Sequence, residues 1–185
     1  MTESLTVAVL VGSLRAGSYN RKVAQELVAR AGETLDCRFV AIDDLPLYNE
    51  DIETADPPAA WVRFRREIAA SDGVLFVSPE YNRSVPGALK NAIDVGSRPP
   101  RQGVWNGKPA MIVTASPGAI GGFGSSQIIR QSLVAVGMPV LSQPEVYLSK
   151  VADLFDADGR MNAGTGDFLG KAMQAFAAWI AQFRD

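Results

Sequence analysis

The chain has 185 residues, 47% of them hydrophobic and 21% charged, with a formal net charge of −2. That is enough for one globular domain over residues 1–185, and it lacks the basic excess that nucleic-acid binding needs. It contains no histidine, which excludes Ser-His-Asp and Cys-His nucleophiles and imidazole acid–base catalysis.

The single cysteine, Cys37, leaves no intrachain disulfide to form and fits a reducing, cytoplasmic compartment. No apolar stretch approaches the ~20 residues of a membrane helix. An acid at Glu3 ahead of a short apolar run is wrong for a secretory signal. No Cys or carboxylate spacing suggests a metal site. If the protein is an enzyme, a bound cofactor is expected to carry the chemistry.

Apolar runs of strand length alternate with segments of helical period. Leu5 to Val11 lacks polar alternation and reads as a strand buried on both faces. From Arg21 the period of Val23, Leu27 and Ala31 predicts a helix packed on the sheet. Leu35 to Ile42 reads as a second strand, with Cys37 inside it as a small buried hydrophobe. Trp61, Phe64, Ile68 and Ala69 mark a second helix whose Arg63, Arg65 and Arg66 fall mostly on its wet side. Gly73 to Ser78 is a third strand, and Pro86 stands where the first turn of the next helix tolerates proline.

Ala110 to Ala115 reads as a fourth strand, Gln127 to Val136 as a fourth helix, and Met138 to Tyr147 as a segment containing a fifth strand. Asp153 to Gly166 is loop-like. The last helix shows one apolar stripe from Phe168 and Leu169 to Ile180 and Phe183, expected to face the core. Five strands alternating with five helices imply an α/β fold, a parallel sheet wound on both sides. In such sheets ligands bind beyond the carboxyl ends of the strands, where the winding reverses. The loops after strands one, three and four are therefore the candidate site.

The first loop, Gly12 to Asn20, joins a strand to a helix and is rich in small and hydroxyl residues. Backbone N–H groups, hydroxyls and a helix N-terminus converge there, as they do around a phosphate, and Arg15 adds a bidentate cation. Gly12 and Gly17 have Walker spacing, but Ser18-Tyr19 stands where Lys-Ser/Thr belongs, so an NTPase reading fails. The dinucleotide fingerprint G-x-G-x-x-G is missing as well. A monophosphate suits what remains, namely Ser13, Arg15, Ser18 and Asn20; the alternative is a solvated connection with Ser18 or Asn20 capping the helix. The second loop, Ser78 to Gly87, offers Tyr81 and two prolines as a firm wall for a planar ring, or else a tight turn with Tyr81 tucked away. The third, Ser116 to Gly124, admits a ligand close to the backbone or is merely flexible.

Together the loops resemble the NAD(P)H-dependent FMN reductase family, the flavodoxin-like group that includes quinone and chromate reductases. Gly12-Ser13-x-Arg15-x-x-Ser18-x-Asn20 follows the first strand, and Pro79-Glu80-Tyr81-Asn82 with Pro86-Gly87-Ala88-Leu89-Lys90-Asn91-Ala92-Ile93-Asp94 follows the third. The resemblance runs from Val7 to about Phe183. It implies a flavodoxin-like three-layer sandwich with strand order 2-1-3-4-5. It implies that Ser13, Arg15, Ser18, Tyr19 and Asn20 surround the FMN phosphate. Pro79, Glu80, Tyr81 and Asn82 would then border the isoalloxazine, largely through main-chain groups, with Ser116 and Gly118 at the opposite edge. The family's members commonly form homodimers or homotetramers, with the helix after the Glu-Tyr-Asn loop at the contact.

By the same resemblance, NADPH or NADH passes a hydride to bound FMN and leaves, and quinones, chromate or ferric complexes then take the electrons in a ping-pong sequence. Hydride transfer needs alignment rather than a protein base. Arg83 and Arg101, with Arg98, are candidates for attracting a nicotinamide phosphate or an anionic acceptor, or are plain solvated arginines. Arg130 and Glu145 either pair across subunits or face water. The rival readings are an electron-carrying flavodoxin, which is usually far more acidic than −2, and a regulatory module holding another phosphorylated ligand.

Overall fold

A computed structural model describes residues 4–184; Glu3 and the other terminal residues on which the signal-peptide reading rests lie outside them. Five parallel strands, β1 (Leu5–Val11), β2 (Leu35–Phe39), β3 (Gly73–Ser78), β4 (Ala110–Ala115) and β5 (Val146–Leu148), stand in the order 2-1-3-4-5. The helices are α1 (Tyr19–Ala29), α2 (Ala59–Ala69), α3 (Gly87–Gly96), α4 (Phe123–Ala135) and α5 (Ala163–Ala181).

The strands alternate although their sequences do not. Val7, Val9, Leu75, Val77, Met111 and Val113 face α1 and α5, meeting Val23, Leu27, Met173 and Phe176. Ala8, Leu10, Val74, Phe76, Ala110 and Ile112 face α2, α3 and α4, meeting Phe64, Ile68, Leu89, Ile129 and Leu133. Both faces of the sheet are covered, so the central strands β1, β3 and β4 are mostly apolar whichever way their side chains point. None of the helices among the described residues is long and apolar enough to cross a membrane.

Several boundaries differ from the sequence expectation. β2 ends at Phe39: Val40 N–H still donates to Val9 (3.0 Å), after which Ile42 and Leu45 fold onto the α2–α3 face. β5 is confined to Val146–Leu148, with one isolated bridge at Val140. Pro139 and Pro144, which have no N–H to give the ladder, interrupt the segment. α4 begins at Phe123, taking in the last residues assigned to the glycine loop. The segment expected as a loop before α5 holds a 3₁₀ turn at Val151–Leu154 and a bridge between Phe155 and Met161, and Asn162 Oδ1 caps α5 by accepting from Thr165 N–H (2.9 Å).

Two side-chain expectations, for Arg65 and for Phe168 with Phe183, are corrected. Arg65 is turned inward: its Nε donates to Val95 O (2.9 Å), its Nη1 to Glu53 Oε1 (2.9 Å), and its guanidinium lies 5.6 Å from the Trp61 ring centre. The reason is that α3 packs against that flank of α2. Phe168 and Phe183 leave the α5 core stripe and are 38% and 43% exposed, Phe183 resting edge-on against Trp179. Arg130 and Glu145 approach each other within the chain (4.0 Å), and Arg130 also donates to Leu141 O (3.4 Å).

Cys37 is half-buried rather than buried, against the α1–α5 side of the core. Burial and, secondarily, the Asp36 carboxylate push its thiol up to about 11 from the ordinary 9.0. The thiolate is the reactive form. At pH 8, alkylation of Cys37 by iodoacetamide is therefore expected to run about 100-fold slower in the folded protein than in the urea-unfolded chain. Equal rates would mean the thiol does not occupy this environment.

Candidate functional site

The carboxyl ends of β1, β3 and β4 deliver their loops to one rim of the sheet. Gly12 makes the first approach possible: its N–H donates to Val77 O (2.8 Å), and a Cβ there would lie 2.9 Å from Ser78 Oγ and 3.1 Å from a Leu89 methyl. Any side chain would crowd the Ser78 hydroxyl and Leu89 at the point where the loops diverge. Beyond it a cleft of about 200 Å³ is lined by Ser13, Arg15, Ser18, Tyr19, Asn20, Pro79, Glu80, Tyr81 and Ser116, together with Ala115, Pro117 and Val151.

Ser13, Ser18 and Asn20 are buried polar residues. Ser18 is the N-cap of α1; its Oγ accepts from Arg21 N–H (3.2 Å), which leaves the hydroxyl proton to donate into the cleft. The first turn of α1 carries no acid, and Arg15 is exposed without an ionic partner among the described residues. A helix N-terminus, hydroxyl donors and a free guanidinium suit a phosphate dianion. Asn20 differs. Its Nδ2 donates to Ala115 O (3.1 Å), which fixes the amide's orientation, and its Oδ1 is buried with no partner. An orphaned acceptor repels phosphate oxygens and calls for a hydroxyl donor. Tyr19 packs its ring against Phe155 (6.3 Å between centres) with Lys22 5.7 Å over it, bracing the loop from behind.

The second loop turns tightly. Tyr81 N–H donates to Ser84 O and Ser84 N–H to Tyr81 O, both at 3.0 Å, and the residues between, Asn82 and Arg83, have φ of +52° and +64°. Two successive left-handed residues closed this way form a type I′ turn. Asn tolerates the conformation, whereas Arg83 carries about 1 kcal/mol of strain. Tyr81 remains 45% exposed at the cleft mouth rather than tucked onto the domain.

Glu80 does something the motif does not announce. Its Oε2 accepts from Ser125 N–H at the start of α4 (3.3 Å), and its Oε1 accepts from Arg83 Nη1 (3.2 Å). The α4 N-cap, Gly122, has no side chain to cap with. At Gly124 a Cβ would stand 2.9 Å from Glu80 Oε2. The carboxylate thus caps α4 from another loop and ties the second loop to the third; Pro79, Glu80 and Tyr81 line the cleft, whereas Asn82 does not. No signal within either motif, read alone, reveals this pairing.

The third loop is pinned rather than flexible. Ser116 Oγ accepts from Gly118 N–H (3.1 Å), Gly118 O from Lys150 N–H (3.1 Å), and Ala119 O from the Ser149 hydroxyl (2.7 Å). Ser116 lines the cleft; Gly118 is held toward Lys150 and is not part of the lining. Arg83 stays at the rim. Arg101 is not brought there: α3 carries the chain to the amino edge of the sheet, where Arg98 and Arg101 line a separate cleft with Trp105 and Val136. Val151, supplied by the turn after β5, joins the site through topology alone, and the sequence reading missed it.

A doubly wound sheet with this strand order and a donor-rich loop at its β1–β3 switch point has the architecture of a flavodoxin-like nucleotide-binding protein. The model of the family described as NADPH-dependent FMN reductase matches residues 5–153. The chain is 56% identical over 180 residues to a quinone reductase of Pseudomonas putida, covering 97% of each. It is 40% identical over 182 residues to a 2-hydroxy-1,4-benzoquinone reductase of a Burkholderia species, covering 98% of this chain and 99% of that one. The solved structure of FerB, a flavoenzyme NAD(P)H:(acceptor) oxidoreductase from Paracoccus denitrificans, superposes with a TM-score of 0.91 at 42% identity, over 97% of this chain and 98% of FerB. The chain belongs to the NADPH-dependent FMN reductase family. It is an oxidoreductase whose cofactor is FMN.

The capping role of Glu80 has a direct consequence. Glu80→Ala, which strips the acceptor from Ser125 and Arg83, is expected to lower the stability of the FMN-free protein by about 1–2 kcal/mol in urea, with Glu80→Gln recovering about half. Identical stability for all three proteins would show that the carboxylate does not cap α4.

Proposed function

We propose that the cleft between the three loops seats FMN and that the protein carries reducing equivalents from NADPH or NADH to quinones at one open face. The observation that supports this most is the pairing of a donor-rich loop at the α1 N-terminus with the buried, partnerless Oδ1 of Asn20 beside it. A phosphate and a chain of hydroxyls are the two halves of a ribityl phosphate.

Ser13, Arg15, Ser18 and the amides of the loop around Tyr19 hold the phosphate. Asn20 accepts from a ribityl hydroxyl. Pro79, Glu80, Tyr81 and Asn82 border the ring through their main chain, and Ser116, with Gly118 behind it, closes the opposite edge. When bound, FMN supplies the hydride-accepting and electron-donating chemistry. The residues themselves orient and enclose: the I′ turn fixes the backbone beside the ring, and N–H groups stabilise charge that develops there.

Tyr81 and Arg83 leave the mouth open, and a site with so few fixed contacts discriminates weakly. Chromate and ferric complexes are therefore proposed acceptors beside quinones, in a reducing cytoplasm. Association as a homodimer or homotetramer is proposed through the α3 side, where Leu47 stands 79% exposed on a loop held by Asn91 (Oδ1 to Tyr48 N–H, 2.8 Å).

Because donor and acceptor use one face in turn, initial rates with NADPH and a quinone varied together are expected to give parallel double-reciprocal lines; intersecting lines would contradict a shared site. Arg15→Ala is expected to weaken FMN binding by the FMN-free protein at least ~10-fold, read by flavin fluorescence quenching. Unchanged affinity would remove Arg15 from the phosphate site.

A further inference from the structure

A second cleft, of about 270 Å³, lies on the other side of the β1–α1 loop, between that loop and the chain leaving β2. It shares Ser13 and Arg15 with the flavin cleft, so the two are neighbours across a single segment. Its walls include Arg15 and Arg21, the Phe39 ring and Asp43. The Arg21 guanidinium lies 5.2 Å from the centre of the Phe39 ring, which is 40% exposed at the end of the edge strand. Among the described residues neither arginine has an acidic partner. The α1 N-terminus adds its partial positive charge to theirs.

Two guanidiniums without an acidic partner, a partly exposed aromatic ring and a carboxylate in the segment that leaves the second strand form a recognisable chemistry. Guanidiniums grip phosphate oxygens in a bidentate way, and in dinucleotide-binding folds it is an arginine near the adenosine ribose that accommodates a 2′-phosphate. The aromatic face offers an adenine ring a surface to stack on. Resting on the proposed function, we infer that this cleft receives the adenosine end of the reduced nicotinamide, and that Arg21 selects the 2′-phosphorylated form, NADPH, over NADH. Arg15 stands between the two clefts and serves the flavin phosphate. Arg21 and Phe39 lie outside the flavin cleft, and they separate the two roles.

The test uses the FMN-loaded protein with 2′,5′-ADP and 5′-AMP as probes in calorimetric titrations, and NADPH and NADH as substrates. Arg21→Gln removes the charge but keeps a residue that suits a helix and adds no acid to the first turn of α1, so the variant is expected to fold and to keep the flavin site. The native protein is expected to bind 2′,5′-ADP at least ~10-fold more tightly than 5′-AMP, and Arg21→Gln to erase that difference. The same variant should raise KM for NADPH at least ~10-fold with KM for NADH, kcat and FMN content unchanged. Phe39→Ala should weaken both probes alike. Equal affinity of the native protein for the two probes, or equal effects of Arg21→Gln on NADPH and NADH, would overturn the assignment. Failure to oxidise either nucleotide would instead refute the proposed function, while the 2′,5′-ADP titration still decides for or against the cleft.

Discussion

Everything at the ligand rim depends on how closely β1 runs beside β3. Val7 to Val11 pair in register with Gly73 to Val77, so the two strands end together and Gly12 falls beside Ser78. The phosphate-type loop and the Tyr81 turn therefore start a few ångströms apart and diverge, one toward α1 and the other toward α3. β4 in register with β3 adds the Ser116 loop on the same rim. A side chain at Gly12 would crowd Ser78 and Leu89 at the base of the cleft. Close packing of apolar side chains on both faces makes that register unique, since slipping one residue would exchange the two cores.

The electrostatics of the rim follow from the same arrangement. The N-termini of α1 and α4 both point at the site, and the chain treats them differently. α4 receives the Glu80 carboxylate and is neutralised within the protein. α1 receives only the Ser18 hydroxyl and keeps its positive potential, reinforced by Arg15. In the proposed function this contrast directs a dianion to the first loop and leaves the region near the second and third loops neutral enough for a planar, uncharged ring. The remaining distinctive feature is the unpartnered Asn20 Oδ1, a buried acceptor that a hydroxyl satisfies.

Much of the fold was readable because two physical signals agree. Apolar runs of strand length recur between helical periods, and Gly- and Pro-rich breaks separate them, so the alternation and the loop positions could be read directly. Where one signal was overridden, the reading slipped. Leu35 to Ile42 is apolar enough for a longer strand, but Ile42 and Leu45 are apolar because they fold onto the helical face, not because they pair. Phe123 to Ser126 reads as loop from its glycine and serines, yet an acid supplied from elsewhere starts the helix there. Arg65 carries a surface residue's charge and is matched by Glu53 under the flank of α3.

The cleft was legible as three loops, and most of the residues expected there line it. What could not be read were relations between segments: Glu80 with Ser125, Val151 with the first loop, and the placement of Arg101 at the far end of a helix that begins beside the site. Motif spacing specifies residues along the chain, whereas these depend on the sheet order that folds it back.

The central claim is that the β1–α1 loop recognises a phosphate ester next to a ring site. It is tested most directly by titrating the FMN-free protein with FMN and with riboflavin, which differ only in that phosphate. The account predicts FMN binding at least ~100-fold tighter, the gap shrinking as salt screens the loop. Affinities within about 3-fold of each other would contradict it.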